Sequence, residues 1–238
     1  MKYATTPTTL CAAVIATALA VPLSLVPALA PALAAEDNVA PTINRTFKDP
    51  ELDTSRYAQS FSGESREVFT AREEVIAAIA LEPGQTVADI GAGTGIYTRL
   101  FAREVGPEGE VLAVDIAQRF LTYVENWAEE EGFEQITTIL GQDQSPNLPE
   151  NSVDVIFSSD TYHHFEYPVT MAAEMHKALR DGGVMIVVDY ERTPEREQHV
   201  RAPKSSVIAE IESVGFRLVA EEHISGFNEN YFLRFAKN

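Results

Sequence analysis

Val87-Ala88-Asp89-Ile90-Gly91-Ala92-Gly93-Thr94-Gly95 is the stretch that decides the fold. Its apolar first half is typical of a buried parallel strand, and its three alternate glycines allow the backbone to turn sharply and approach a ligand. The pattern predicts the first strand and the nucleotide loop of a doubly wound α/β fold. It departs from the dinucleotide fingerprint G-x-G-x-x-G, because Ile96 stands where that motif has its last glycine. We therefore expect a cationic, phosphate-free ligand rather than a pyrophosphate.

Asp89 to Gly95 has the form D-x-G-x-G-x-G, and an acid also ends the next apolar run, Val111 to Asp115. This arrangement resembles motif I and the second strand of class I S-adenosylmethionine (SAM)-dependent methyltransferases. Segments 141–143, 152–157 and 178–183 resemble later parts of the same family, in the same order. The resemblance covers residues 64–236 and implies an α/β fold with a doubly wound, Rossmann-like, seven-stranded sheet, mostly parallel with an antiparallel last strand. It also implies an enzyme that uses SAM as its cofactor.

The expected cofactor site lies at the ends of the first strands. The glycines bring the backbone close to SAM, Asp89 orients the loop or meets the methionine ammonium, and Asp115 accepts hydrogen bonds from both ribose hydroxyls. Gln142 or Asp143 is expected to reach the adenine amine. The predicted cofactor-binding residues are Asp89, Gly91, Ala92, Gly93, Gly95, Asp115, Ile116, Gln142, Asp143 and Ser159.

The segment from Ser158 to Phe165 follows strand four, at the edge where open parallel sheets bind their ligands. Methyl transfer from a sulfonium needs aligned reactants, and an acceptor that carries a proton also needs a base. Histidine titrates near neutrality, so His163 or His164 is either this base or a hydrogen-bonding residue of the loop. The predicted catalytic residues are His163, His164, Tyr162 and Asp160.

A magnesium site is an alternative interpretation of the acids after strands four and five, Asp160 and Asp189. Magnesium requires a shell of oxygen ligands, and Tyr190 rather than an amide or a carboxylate follows the second acid. We therefore predict no metal ligand among these residues.

The N-terminal 34 residues are typical of a secretory signal peptide. Lys2 precedes an apolar run, and Ala32-Leu33-Ala34 resembles a cleavage site. An uncleaved membrane anchor is the alternative, but three prolines interrupt the run and disfavour a spanning helix. The only cysteine, Cys11, lies inside this leader, which excludes thiol chemistry from the mature protein. We predict a secreted, periplasmic protein with a signal peptide at 1–34, an irregular N-terminal arm at 35–63 and a methyltransferase domain at 64–238.

The net charge of the chain is −18 at pH 7. Such an excess of acids repels nucleic acids and anionic membrane surfaces. The expected partner is a small-molecule substrate, with no nucleic acid and no stable membrane association after removal of the leader. The acidity itself favours solubility in a salty environment.

Other segments allow two interpretations each. Apolar residues recur at helical spacing from Ser65 to Leu81, which predicts one helix, and in the methyltransferase family such a leading segment covers the cofactor. Tyr57, Phe61 and Arg66 lie in or just before this segment, and they either contact the ligand or form one side of a packed surface helix.

Three further expectations concern the core, the sheet and the pocket. Phe120 is expected in the core, and the fifth strand is expected at Val184 to Asp189. The candidates for the acceptor side of the pocket are His199, Arg201, Asn230 and Tyr231.

Together these features predict an exported methyltransferase that moves a methyl group from SAM to a small thiol or to a phenol or quinol hydroxyl. A protein side-chain methyltransferase, a non-catalytic SAM-binding protein and a nicotinamide oxidoreductase are the alternatives.

Overall fold

A computed structural model describes residues 1–4 and 36–237 of the chain. The predicted signal peptide therefore lies, apart from its first four residues, outside the described residues. Within the described ranges, no helix combines the length and the apolar character needed to cross a bilayer.

Seven strands of residues 36–237 form one sheet in the order β3-β2-β1-β4-β5-β7-β6. The first five strands run parallel, whereas β7 lies antiparallel between β5 and β6. This arrangement confirms the predicted fold class. The strands are β1 (Thr86–Ile90), β2 (Glu110–Asp115), β3 (Ile136–Leu140), β4 (Val153–Ser159), β5 (Leu179–Tyr190), β6 (Phe216–Glu222) and β7 (Asn230–Lys237).

Helices cover both faces of the sheet, which explains why every residue of β1 is buried. One apolar layer joins Val75 and Phe101 to the sheet, and the other joins Met175 and Ile211 to the opposite face. The helices are α1 (Thr54–Phe61), α2 (Glu67–Thr70), α3 (Arg72–Ile79), α4 (Ile96–Val105), α5 (Gln118–Glu131), α6 (Pro168–Ala178) and α7 (Lys204–Glu212).

The centre of the sheet fixes the position of the site. Val87 of β1 pairs with Val111 of β2 on one side and with Val155 of β4 on the other. The strand order therefore reverses between β1 and β4. In open α/β sheets, ligands bind outside the carboxyl ends of the strands at such a switch point.

The N-terminal arm is more ordered than the sequence predicts. Helix α1 occupies its last part, with Asp53 as N-cap accepting a hydrogen bond from the backbone of Arg56 at 3.1 Å. The apolar side of this helix packs on Phe120 of α5 through Tyr57 and Phe61, and no residue of α1 is fully buried. The segment is polar overall, so its few apolar residues, Tyr57, Ala58 and Phe61, do not stand out as a helix in the sequence, and the prediction of an irregular arm is wrong here.

Two further boundaries differ from prediction. The helix expected from Ser65 to Leu81 is broken at Ala71 into α2 and α3, and it ends at Ala80, whose φ of 59° is left-handed. Strand β5 is longer than expected, because Leu179 already pairs with Val153 and a register shift separates this pair from the rest of the ladder. A bulge lets β5 continue to pair with β4 through Gly182 and Gly183, a segment whose sequence is typical of a turn.

Candidate functional site

The glycine loop is fixed by backbone hydrogen bonds to β2. The N–H groups of Gly91 and Ala92 both donate to the carbonyl of Val114, at 2.8 and 3.0 Å. Gly91 has a φ of +76°, and a Cβ at this position would overlap the side chain of Thr161, which follows β4. Glycine is therefore required here both by backbone conformation and by space.

Asp115, at the end of β2, completes the loop. Its Oδ2 accepts a hydrogen bond from Gly93 N at 2.8 Å, and its Oδ1 accepts one from Ala117 N at 2.8 Å. Burial raises the pKa of Asp115 to about 6, although these hydrogen bonds act in the opposite direction. The carboxylate thus ties the loop to the start of α5 while it lines the cleft. The predicted contact with ribose stays a prediction.

Asp89, at the end of β1, is only 3% exposed. The hydroxyl of Thr98 in α4 donates to its Oδ2 at 2.6 Å, so the observed partner of Asp89 is the first helix of the fold. Burial raises the pKa of Asp89 to about 7, and the charge of Asp115 adds to the rise. The sequence analysis did not identify Thr98. Its position one helical turn after the glycines was the available signal.

A cleft of about 320 Å³ opens at the switch point, within the size range of small-molecule sites. All the predicted site residues except Gly95 and Tyr162 line it. The sequence prediction placed Gly95 and Tyr162 in the site, and the structure corrects both. Gly95 caps α4 with a φ of +80°, and a Cβ there would come within 2.6 Å of the Trp127 ring, so this glycine serves helix packing.

Tyr162 is wholly buried in the core rather than exposed to the cleft. Its ring centroid lies 5.1 Å from that of Phe165, and the guanidinium of Arg201 lies 5.7 Å from the Tyr162 ring. Arg201 in turn forms a two-pronged ion pair with Glu210, at 2.8 and 2.7 Å. The 3₁₀ turn Tyr162–His164 points successive side chains in different directions, so the tyrosine enters the core while the histidines face the cleft.

His163 is the most firmly held of the predicted catalytic residues. Asp189 at the end of β5 accepts from the backbone N–H of His163 at 2.9 Å and lies 2.6 Å from its ring Nδ1. A carboxylate oxygen accepts, so Nδ1 of His163 donates to Asp189, which leaves Nε2 for contacts on the cleft side. That Nε2 lies 3.1 Å from Nε2 of His199, in the loop 191–203.

His164 lies next to this pair, with its ring centroid 4.3 Å from that of His163 and 5.3 Å from that of His199. Burial lowers the pKa of His164 to about 3, and the neighbouring histidines lower it further. His199, for which the sequence left a pocket role and a solvated loop open, lines the cleft, whereas Arg201 does not. The role of His163 or His164 as the base stays a prediction, and His163 is the better oriented of the two.

Asp160 directly follows β4 and has a left-handed φ of 46°. Its carboxylate accepts hydrogen bonds from Arg66 at 2.5 Å and from the Asn230 side chain at 2.8 Å. Burial raises the pKa of Asp160 to about 6, against the effect of Arg66. The oxygens of Asp160 and Asp189 therefore face protein donors rather than a shared magnesium position. Asn230 reaches the site through Asp160, while Tyr231 is buried in the core.

The N-terminal arm covers one side of the cleft. Phe61 and Arg66 line it, as does Phe47, which no pattern in the sequence predicts. Phe61 comes so close to the glycine loop that a Cβ at Gly93 would lie 3.1 Å from its ring. Tyr57, by contrast, packs between Phe47 and Phe61 and does not line the cleft.

Two further contacts join the arm to the site. The Asn44 side chain donates to the carbonyl of His164 at 3.0 Å, and Lys48 pairs with the carboxylate of Asp143 at 2.5 Å. Phe120, expected only in the core, is buried and also lines the cleft. Gln142 lies beside Asp143 on this wall, and contact of either residue with adenine stays a prediction.

Comparison with known proteins supports this description. A family model described as a methyltransferase domain matches residues 88–187. The chain is 25% identical over 118 residues to a demethylmenaquinone methyltransferase of Anoxybacillus flavithermus, a match that covers 50% of each protein. It is 29% identical over 120 residues to a ubiquinone/menaquinone biosynthesis C-methyltransferase of Burkholderia multivorans, covering 50% of this chain and 49% of that protein. The chain thus spans about half the length of the curated relatives it matches.

Solved structures share the fold. A SAM-dependent methyltransferase from Aquifex aeolicus superposes with a TM-score of 0.67 at 22% identity, covering 78% of this chain and 98% of the other. The [4+2]-cyclase SpnF superposes with a TM-score of 0.57 at 19% identity, covering 65% and 60%. Residues 88–187 thus match a methyltransferase domain, and the sheet has the fold of solved SAM-dependent methyltransferases.

Proposed function

We propose that this protein transfers a methyl group from SAM to a small-molecule acceptor, and that it does so after export. The observation that carries the proposal is that one cleft contains both parts of such a site. The glycine loop with Asp89 and Asp115 lies at one side, and His163, His164 and His199 line the same cleft after β4 and β5. Cofactor and acceptor can therefore meet between them.

The transfer is a displacement at the sulfonium methyl, in which the acceptor forms a bond to carbon as the bond to sulfur breaks. The positive charge of the cofactor disappears in this step, so alignment and exclusion of water supply most of the catalysis. The arm residues Phe47 and Phe61 provide apolar walls for this purpose. His163 and His199 are hydrogen-bonded through their Nε2 atoms at 3.1 Å, and this pair is the proposed recipient of the proton that a thiol or hydroxyl acceptor loses.

The proposed acceptors are a small thiol, or a phenol or quinol whose hydroxyl accepts the methyl group. The relatives' names add a ring carbon of a quinone precursor as a third acceptor position to test. Coverage of the cleft by the arm favours a small molecule over a protein side chain. A protein methyltransferase would need a more open approach to the histidines.

The experiment begins with calorimetric titration of the full chain with SAM, with S-adenosylhomocysteine and with NAD. Purified protein is then incubated with SAM and a panel of thiols, phenols and quinols, and S-adenosylhomocysteine formation is measured. We expect SAM and its product to bind, NAD not to bind, and at least one acceptor to be turned over. Binding of NAD alone would favour an oxidoreductase, whereas SAM binding without turnover across the panel would favour a binding protein. The turnover assay is needed in addition to the titration, because the same fold occurs in the [4+2]-cyclase SpnF.

Export rests on the sequence of the first 34 residues and has its own test. We expect the mature protein to begin near Ala35 and to be recovered in a periplasmic fraction. N-terminal sequencing that returns Met1 from a washed membrane pellet would favour the uncleaved anchor instead.

A further inference from the structure

Three imidazoles converge beside the cofactor cleft. His163 and His164 come from the 3₁₀ turn after β4, and His199 comes from the loop 191–203 after β5. Each offers a ring nitrogen, and these three nitrogens all lie within 4.8 Å of one another. All three residues line the cleft. The other two histidines of the chain, His176 and His223, do not line it.

The spacing suits a single metal ion. Zinc binds imidazole nitrogen at about 2.0 to 2.1 Å, which in a tetrahedral site puts neighbouring nitrogens roughly 3.4 Å apart. The Nε2 atoms of His163 and His199 are 3.1 Å apart, close to that separation. The nitrogen that His164 offers lies within 4.8 Å of those offered by the other two histidines. Three histidines then leave the fourth position of a tetrahedral ion open to the cleft.

The surroundings prepare His163 as a ligand. Asp189 is 1% exposed and accepts the Nδ1–H of His163, which directs the Nε2 lone pair away from the carboxylate. Metal-binding histidines commonly donate their second nitrogen to a carboxylate in this way, which fixes the ring and strengthens the ligand. Nδ1 of His164 is buried and has no hydrogen-bond partner among the described residues. One of the three rings therefore has an unsatisfied nitrogen.

The local charge also tolerates a cation. Two arginines line the cleft near the cluster: Arg66 pairs with Asp160 at 2.5 Å, and Arg196 pairs with Glu229. The carboxylate of Asp189 contacts His163 and pairs with no arginine or lysine among the described residues. A divalent ion at the histidines would face this carboxylate across the His163 ring. The pair of Arg66 and Asp160 would remain as it is.

We propose that His163, His164 and His199 bind one divalent transition-metal ion, with zinc as the first candidate, at the acceptor side of the cleft. Imidazole ligands suit zinc, and an open fourth position would hold the acceptor's sulfur or oxygen as a ligand. This metal site differs from the magnesium site weighed from Asp160 and Asp189, because its donors are nitrogens. The role of this open position rests on the proposed function, whereas metal binding itself is measured without SAM or acceptor. With the ion bound, the acceptor would contact the metal instead of His163.

The test uses the untagged full chain, freed of metal by dialysis against a chelator and titrated with Zn²⁺ in a calorimeter. We expect one ion per chain. His199→Ala is the main variant, because this side chain lies in a surface loop and its loss leaves the buried turn intact. We expect it to weaken zinc binding by at least about 100-fold, and Asp189→Asn to weaken it by about 10- to 100-fold. His223, an exposed histidine directly after β6 that does not line the cleft, provides the matched control: His223→Ala should bind zinc as the wild type does.

Substitution by Co²⁺ gives a second readout, because its visible spectrum reports a tetrahedral nitrogen site and should disappear in His199→Ala. Circular dichroism of each variant checks that the fold is retained. The proposal is overturned if the wild type binds zinc no more tightly than His199→Ala does, or if His223→Ala weakens binding equally. The three histidines would then form a metal-free, hydrogen-bonded chain from Asp189 to the cleft.

Discussion

Asp115 shows how much a single side chain contributes to the cofactor site. Both of its oxygens accept backbone N–H groups, from Gly93 in the glycine loop and from Ala117 before α5. The remaining lone pairs are those available to ribose. A change at this residue therefore affects the loop as well as any direct contact with the cofactor.

We predict that Asp115→Asn weakens SAM binding by roughly 1 to 3 kcal/mol, because an amide offers one acceptor oxygen where the carboxylate offers two. Calorimetric titration with SAM measures the change. Asp181→Asn, whose side chain is 98% exposed, is the control and should leave the affinity unaltered. Equal affinities for wild type and Asp115→Asn would show that the end of β2 does not hold the cofactor.

A change at Tyr162, unlike one at Asp115, is expected to have little effect on the site. The Tyr162 ring is wholly buried and does not line the cleft, so its hydroxyl cannot meet an acceptor. We predict that Tyr162→Phe retains turnover within about twofold of wild type, measured with an acceptor identified in the panel. A loss of turnover of about 10²- to 10⁴-fold, the size typical of a missing proton-transfer group, would show that Tyr162 is a catalytic residue.

The loop between β1 and α4 illustrates how one element combines backbone conformation with packing. Gly91 and Gly132 have nearly the same left-handed φ, +76° and +75°. A Cβ at Gly91 would overlap Thr161, whereas a Cβ at Gly132, after α5, would have no described residue other than its chain neighbours within 4 Å. The two glycines therefore separate the cost of the backbone angle from the cost of overpacking.

We predict that Gly132→Ala lowers the free energy of unfolding by about 1 to 2 kcal/mol, the cost of a left-handed alanine. Gly91→Ala should lower it by roughly 1 to 3 kcal/mol more, because Thr161 must move. Urea unfolding of both variants measures the difference. If the two variants are equally stable, the loop can shift away from Thr161, and the close approach described above is not maintained in solution.

At the scale of the whole molecule, the site concentrates buried acids at the carboxyl edge of the sheet. Asp89 and Asp115 lie at the ends of adjacent strands, and burial raises the pKa of both. A carboxyl whose pKa is raised on folding stabilises the folded state fully below its unfolded pKa. That contribution is lost as the pH rises through the folded pKa.

For Asp89 this loss of stability extends over the pH range from its ordinary pKa of 3.8 to its folded-state pKa of about 7. We predict that, without cofactor, wild type loses stability relative to Asp89→Asn as the pH rises from about 4 to 7. The loss should reach roughly 1 to 4 kcal/mol, and the asparagine can still accept the hydrogen bond from Thr98. Urea unfolding at a series of pH values measures both proteins. Parallel profiles would mean that Asp89 ionises in the folded state as it does in the unfolded chain.

Much of this organisation is determined by the sequence alone. The apolar runs of β1, β2 and β4, and the glycines and acids that follow them, are local patterns, and each is sufficient to predict its own element. Because parallel strands align their carboxyl ends at one edge of the sheet, the order of these patterns also places Asp89, Asp115, Asp160 and His163 around one cleft. The fold and most of the cleft's lining follow from that rule.

The tertiary structure alone decides which distant segments return to this edge. Asn44 meets the backbone of His164 across 120 residues, and His199 meets His163 across 36. Neither the arm nor the loop 191–203 has an apolar period that predicts these contacts, because each is positioned by a few side chains rather than by a buried face. The direction of a side chain within the short turn after β4 is likewise set by packing, which is why Tyr162 enters the core while the adjacent histidines line the cleft.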